Sequence, residues 1–147
     1  MANPSIHASA VLIGARAVLI QGPAGSGKSR LALALLHAAN QGLLPFARLV
    51  ADDRAHVEAA HGRLLVRPAL AGLIEVRGLG IRRMPHEPLA VVGLAVDLGQ
   101  RNAKRLPDAT HREAKIEGIS LPRLGVAADQ NPLPLVLAYL QTPGTPD

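Results

Sequence analysis

The chain has no cysteine and no tryptophan, and its only aromatic side chains are those of Phe46 and Tyr139. Without thiols there can be no disulfide and no thiolate-held metal, and a cytoplasmic protein is the simplest expectation. Without aromatics, single-stranded nucleic acid finds no stacking platform. The core is left to Leu, Val, Ile and Ala, which make up nearly all of the 48% hydrophobic content. Long apolar runs are lacking as well. Gly14 and Arg16 interrupt the stretch from Ala8 to Ile20, which therefore does not read as a targeting signal. No segment reaches the roughly 18 apolar residues of a membrane span. Lysine is scarce: thirteen of the sixteen basic residues are arginine, and they are scattered. The formal charge of +5 suits a protein that handles phosphates or acidic partners as well as it suits a nucleic-acid binder. The absence of interleaved aromatics weighs against the second.

What is present fits one domain. A chain of 147 residues can bury a proper core, and positions 1–147 read as a single unit. Ala10–Ile13 and Ala17–Gln21 are short apolar runs around Gly14-Ala15-Arg16 and read as a β-hairpin. From Lys28 to about Asn40 the leucines fall near helical spacing, and Gly42 and Pro45 end the helix. Arg48–Ala51 reads as a strand that stops at Asp52-Asp53. His56–Ala60 and Arg63–Val66 read as two more strands around His61-Gly62, and Leu73–Val76 as another before Gly78-Leu79-Gly80. Leu89–Leu98 is the longest apolar strand. Gly99 to Ala109 is polar, basic and turn-rich. Asn131 as N-cap and Pro132 at the first helical position open a final helix to about Gln141, and Thr142–Asp147 is a tail. The sum is an α/β domain: a mixed β-sheet, a helix after the glycine-rich loop, and a C-terminal helix.

Gly22-Pro23-Ala24-Gly25-Ser26-Gly27-Lys28-Ser29 satisfies G-x-x-x-x-G-K-[ST] at every specified position, between a strand and a helix as that motif requires. Its glycines let successive backbone N–H groups converge on phosphate oxygens, and the helix N-terminus adds partial positive charge. Lys28 would reach the β- and γ-phosphates and the Ser29 hydroxyl would sit on Mg²⁺, so ATP with Mg²⁺ is the expected ligand. Asp52-Asp53 stands where a phosphoryl-transfer enzyme places its metal-binding acid. The second carboxylate is free to act as a base; alternatively the pair is a solvated turn. Glu75 and Arg77 share one strand face, opposite Ile74 and Val76, as part of a site or as a plain cross-strand ion pair. His7, alone before a strand, reads as a surface residue unless the strands bring it to a carboxylate. The run Gln100-Arg101-Asn102-Ala103-Lys104-Arg105 is a solvated basic loop, or supplies an arginine to a transferring phosphoryl group. The remaining histidines read as surface or turn residues.

In order along the chain, Ser5-Ile6-His7, Gly22 through Ser29, Leu49-Val50-Ala51-Asp52-Asp53-Arg54 and Leu73-Ile74-Glu75-Val76-Arg77-Gly78-Leu79-Gly80-Ile81 resemble the catalytic domain of the HPr kinase/phosphorylase family. The last two blocks are the distinctive ones. The resemblance is firm from about residue 5 to 82 and looser to about 125. It implies a P-loop kinase domain that uses ATP and Mg²⁺ to phosphorylate a serine of HPr, the phosphocarrier of the sugar or nitrogen phosphotransferase system. It also implies removal of that phosphate by phosphorolysis. On this resemblance Asp52 is the proton acceptor, and the donor in reverse. Ser29 and Glu75 help hold Mg²⁺ with Asp53 close by, Lys28 binds the transferring phosphates, and His7 and Arg105 join the catalytic set. A homo-oligomer, hexameric in the family, is implied, with neither membrane nor nucleic acid as partner.

Four departures qualify the resemblance. The family's N-terminal regulatory domain has no counterpart here, as in the short versions associated with alphaproteobacteria. The stretch Ala38–Arg48 is longer than usual, and the segment after Ile81 is shorter. Gly118-Ile119-Ser120-Leu121-Pro122-Arg123, in the region the family uses mainly for dephosphorylation, matches only in part. The kinase direction is therefore implied more fully than phosphorolysis. Two other readings compete: a P-loop small-molecule kinase or ATPase unrelated to HPr, and a nucleotide sensor without catalysis.

Overall fold

The computed structural model describes residues 4–101 and 107–142. Strands β1 (Ile6–Ile13) and β2 (Arg16–Gln21) form the expected antiparallel hairpin, turning at Gly14 with φ 63°. Their side chains alternate between two dry faces. Ala8, Ala10, Ala17 and Leu19 go to one, and Val11, Ile13, Val18 and Ile20 to the other. Burial on both faces is why these strands read as continuous apolar runs. The glycine-rich loop leads into helix α1 (Lys28–Asn40), which buries Leu31, Ala32, Leu35 and Ala38. Strand β3 (Ala47–Ala51) pairs antiparallel with β1 and so runs the same way as β2.

Strands β4 (Arg54–Ala60) and β5 (Arg63–Pro68) make a hairpin whose two-residue turn, His61-Gly62, has φ positive at both positions. β6 (Leu73–Val76) and β7 (Gly80–Arg83) form a separate two-stranded sheet. β8 (Ala90–Gln100) lies parallel to β2, and β10 (Ile119–Ala127) lies parallel to β8 with β9 (Glu113–Ile116) antiparallel to it. Helix α2 (Pro132–Gln141) closes the described chain, its Leu133 N–H donating to the Asn131 side chain, the expected cap.

Across the main sheet the order is β3-β1-β2-β8-β10-β9. Helices α1 and α2 cover one face, over a core that includes Ile20, Leu35, Leu49, Ile74, Val96 and Val136. The β4–β5 hairpin covers the other, over a core with more alanine. β4 also pairs with Ile6 and His7 of β1, and β5 with Ala90 and Val91 of β8, so β1, β2, β8, β5 and β4 close into a ring. Because β2, β3, β8 and β10 all run one way, their carboxyl ends line a single edge, and the glycine-rich loop leaves from that edge.

Three strands escape the sequence pattern. β7 is exposed at every position and so has no hydrophobic alternation. β9 is short and largely exposed, and β10 carries Pro122 and Gly125, which argue against a strand. β8 also runs two residues into the stretch that reads as a polar loop. Within β8, Gly93 is an extra residue, since Ala17 faces Val92 and Val18 faces Leu94. The bulge flips the pleat, sending Ala90 and Val92 to the hairpin core and Leu94, Val96 and Leu98 to the helix core. A side chain at Gly93 would come within 2.7 Å of the Arg16 Cβ, so the position has to be glycine. Arg77 lies beyond the end of β6, in the turn, rather than on the Glu75 face of a strand. Among the described residues, no helix is long and apolar enough to cross a membrane.

Candidate active site

The loop after β2 owes its shape to glycine at specific points. Gly25 and Gly27 take φ of 79° and 99°, and a Cβ on Gly22 would sit 2.5 Å from the Ser26 Oγ. The Ser26 N–H closes a turn on the Pro23 carbonyl at 3.0 Å. Helix α1 begins without a side-chain cap and without an acidic residue in its first turn. Its first N–H groups are therefore left for an external acceptor, and an anion is the natural one. Lys28 is 6% exposed and its ammonium donates to the Gly22 and Pro23 carbonyls at 2.9 and 3.2 Å. The cation is thus folded over the loop it would serve.

Beside the loop, at the end of β3, the Asp52 carboxylate accepts three hydrogen bonds. Ser29 Oγ donates at 2.6 Å and Ser9 Oγ at 2.9 Å to Oδ1, and the Glu75 backbone N–H donates at 2.9 Å to Oδ2. Four elements, β1, α1, β3 and β6, thereby meet at one side chain. Ser9 also holds the next residue, its oxygen accepting the Asp53 N–H at 3.0 Å. Asp53 takes φ 66°, uncommon for a residue with a side chain, while its carbonyl accepts from the Ala8 N–H at 3.0 Å. The chain reversal at 52–54 is completed by the Arg54 N–H on the Asp52 carbonyl at 2.8 Å.

Of the residues expected at the site, Lys28, Ser29, Asp52, Asp53 and the backbone of Glu75 are brought together. The Glu75 side chain is exposed, anchored by the buried Ile74 next to it. His7 is exposed on β1, two residues before Ser9 and therefore on the same strand face, opposite Arg54 in the β1–β4 register. Arg105 lies outside the described residues. Ser9 is the site residue that sequence reasoning misses. It is fully buried in an otherwise apolar strand, and its spacing of two from His7 is the one available signal.

A second polar cluster lies across β8 and β10, on the other side of β2 from Asp52. Arg123 donates to Asp97 Oδ2 at 2.5 Å, to the Gln100 side chain at 3.1 Å and to the His111 carbonyl at 3.0 Å. Asp97 is in register with Gln21, the last residue before the loop, so this ion pair braces the strand end next to it. Further out, the His111 side chain hydrogen-bonds Asp108 and holds its exposed carboxyl well below the usual range.

No protein-family model matches the chain. It is similar to the HPr kinase/phosphorylase of Streptococcus thermophilus, 45% identical over 80 residues, which is 52% of this chain and 24% of that protein. The enzyme of the same name from Streptococcus uberis is 33% identical over 135 residues, 83% of this chain and 41% of the relative. That from Clostridium acetobutylicum is 33% identical over 122 residues, 82% and 36% of the two chains. The chain thus spans between about a quarter and two-fifths of the length of these curated relatives. Among solved structures it resembles the Hpr(Ser) kinase/phosphatase of Coxiella burnetii, with a TM-score of 0.71 at 27% identity over 95% of this chain and 88% of that one. Sequence and structure together assign the chain to the HPr kinase/phosphorylase family.

Proposed function

We propose that the protein is an ATP- and Mg²⁺-dependent kinase that phosphorylates a serine of an HPr-type phosphocarrier, acting as one P-loop catalytic domain over residues 1–147. The observation that carries this reading is the convergence of Ser29, Asp52 and the Glu75 backbone beside a glycine-rich loop whose helix N-terminus is uncapped. Residues 22–29 receive the phosphates, and Lys28 exchanges its two carbonyl partners for phosphate oxygens. The carrier serine then attacks the γ-phosphorus. The new O–P bond forms as the bond to the bridging oxygen of ADP breaks, and the serine proton passes to the Asp52 carboxylate. Ser9 and the Glu75 N–H keep that carboxylate aimed while Ser29 turns away. His7 and Arg105 complete the catalytic set on the family resemblance.

The donor set suits a magnesium ion. No group of three His, Cys, Asp or Glu side chains able to hold a metal occurs among the described residues. Magnesium in nucleotide sites asks for less, one or two carboxylates and the substrate phosphates. Ser29, Asp53 and Glu75 would hold it, and when bound it neutralises charge on the phosphates. The 2.6 Å contact between Ser29 and Asp52 supports a second assignment, in which Asp52 shares the ion with Ser29 rather than taking the proton. Under that assignment, Asp52→Asn raises the Mg²⁺ concentration needed for half-maximal activity. As the proton acceptor, its loss lowers the rate at saturating Mg²⁺.

The same reading carries a homo-oligomer, hexameric as in the family, and a cytoplasmic location. The carrier belongs to either the sugar or the nitrogen branch, and phosphorolysis is the reverse reaction. The test is mass spectrometry of both carrier types incubated with the protein, Mg²⁺ and ATP, beside Asp52→Asn. One added phosphate on a carrier serine, lost in the variant, is the expected result. Intact ATP binding with neither carrier modified would overturn the kinase reading in favour of a sensor or a kinase for another substrate. Excess inorganic phosphate added to the modified carrier then tests phosphorolysis.

A further inference from the structure

The glycine-rich loop does not stand free: Gly22, Pro23 and Ser26 lean on the end of β8. A Cβ on Gly22 would come within 3.1 Å of the Leu98 Cβ. A Cβ on Gly99 would come within 3.3 Å of the Pro23 ring and 3.7 Å of the Ser26 Cβ. Gly99 also takes φ 69°, so its missing side chain and its backbone angle both suit the close approach. The path of the loop is therefore set by where Leu98 and Gly99 lie.

Those two residues are held in turn by one side chain on β10. Arg123 grips Asp97 on one side of them, its Nε donating to Oδ2 at 2.5 Å. It grips Gln100 on the other, Nη2 donating to Oε1 at 3.1 Å. The Gln100 amide passes the grip inward, its Nε2 donating to the Leu98 carbonyl at 3.3 Å. The remaining Nη1 donates to the His111 carbonyl at 3.0 Å. Room for the guanidinium comes from Gly125, where a Cβ would lie 3.0 Å from Nη1. A planar fork of donors reaches these separate anchors at once, which a lysine ammonium could not match. The ion pair is largely buried, with 17% of the Arg123 side chain and 20% of the Asp97 side chain exposed. Desolvation offsets most of the attraction in such a pair, so what it adds is a fixed geometry more than stability.

We propose that Arg123 is a positioning residue for the glycine-rich loop. Through Asp97 and Gln100 it fixes the β8 end against which Gly22, Pro23 and Ser26 pack, and so sets phosphate affinity. It acts through that strand end rather than on the phosphates. The inference rests on the phosphate-loop function proposed above. Backbone N–H groups hold phosphate well when they are aimed before the ligand arrives, and a loop with a shifting support loses that aim.

The experiment is calorimetric titration with two probes, inorganic tripolyphosphate and ADP, both with Mg²⁺. The proteins are the wild type, Arg123→Gln, Arg123→Lys, Asp97→Asn and the Asp97→Asn/Arg123→Gln double variant. Leu121→Ala, buried on the same strand but in the hairpin core, controls for stability alone. Urea midpoints are measured beside the titrations. Arg123→Gln is expected to weaken both probes about tenfold, with Arg123→Lys between it and the wild type. The double variant should lose no more than the worse single variant, because the two side chains act as one contact. Leu121→Ala should lower the urea midpoint while its probe affinities stay within about twofold of wild type. Unchanged affinity in folded Arg123→Gln, additive losses in the double variant, or an equal loss in Leu121→Ala would overturn the positioning role. Each would leave the phosphate-loop reading standing. If Arg123→Gln does not fold, the near-isosteric Asp97→Asn decides, a loss upholding the proposal and unchanged affinity overturning it. Failure of the wild type to bind either probe would overturn both.

Discussion

The two flanks of the glycine-rich loop are finished to different degrees. On the β3 flank, Asp52 accepts from two hydroxyls and a backbone N–H, and Ser9 serves Asp52 and Asp53 at once. On the β10 flank the Ser26 hydroxyl is buried without a partner among the described residues, and a groove stands open between α1 and the connection from β10 to α2. The proposed function accounts for the finished β3 flank. A carboxylate that receives a proton or shares a cation must be aimed before substrate arrives, so its partners belong to the protein.

The sharpest way to break that comparison is to remove the carboxylate and read phosphoryl transfer and nucleotide binding separately. Asp52→Asn is expected to lower phosphoryl transfer by roughly a thousandfold while ADP binding stays within about threefold of wild type. Steady-state kinetics beside calorimetry read both. If Asp52→Asn abolishes ADP binding as well, the β3 flank is part of the nucleotide's ground-state seat and the division between the flanks fails.

Next in size is Ser9→Ala. The substitution removes a donor from Asp52 and leaves the Asp53 N–H without its acceptor in the half-buried turn at 52–54. The expected loss of stability is about 1–3 kcal/mol, read as a fall in the urea midpoint at constant slope. Activity should fall about tenfold through loss of aim rather than loss of a reacting group. Unchanged stability with unchanged activity would show that water replaces the hydroxyl, and that Asp52 is held by Ser29 and Glu75 alone.

How much of this is legible in the sequence differs by residue. Gly22, Gly25, Gly27 and Lys28 announce themselves through the motif spacing, and the geometry explains the glycines: Gly25 and Gly27 take left-handed backbone angles, and Ser26 packs too close to Gly22 for a Cβ. The helix boundaries are legible for a similar reason, through Gly42, Asn131 and Pro132. Ser9 is not, because its partner lies 43 residues away and nothing local distinguishes a buried serine from a tolerated one. Strands β7 and β9 stay hidden where pairing, not burial, holds them, and β10 is masked by Pro122 and Gly125. The groove is hidden as well, since it needs α1 and the β10–α2 connection side by side, and only the parallel pairing of β2, β8 and β10 puts them there. The Gly93 bulge belongs to the same class, because one extra residue in an apolar run leaves no mark on composition.

The smallest effect expected on the β3 flank is a gain. Asp53 holds φ 66°, which strains an L-residue, and its backbone is kept there by Ser9 Oγ on its N–H and the Ala8 N–H on its carbonyl. Glycine relaxes that geometry but frees the unfolded chain, so the two effects partly cancel. Asp53→Gly should therefore raise stability by less than about 1 kcal/mol, a shift of a few degrees at most in the melting temperature. Asp53→Asn, which tolerates the same angles, should leave it nearly unchanged. Both variants remove the carboxylate, so both should need more Mg²⁺ for half-maximal activity if Asp53 helps hold the ion. A loss of stability in the glycine variant alone would mean that the angle costs little in the folded state and that backbone freedom dominates. A loss in both would mean that the carboxylate itself secures the turn, making Asp53 a structural partner of Ser9 rather than a reserve for the cation.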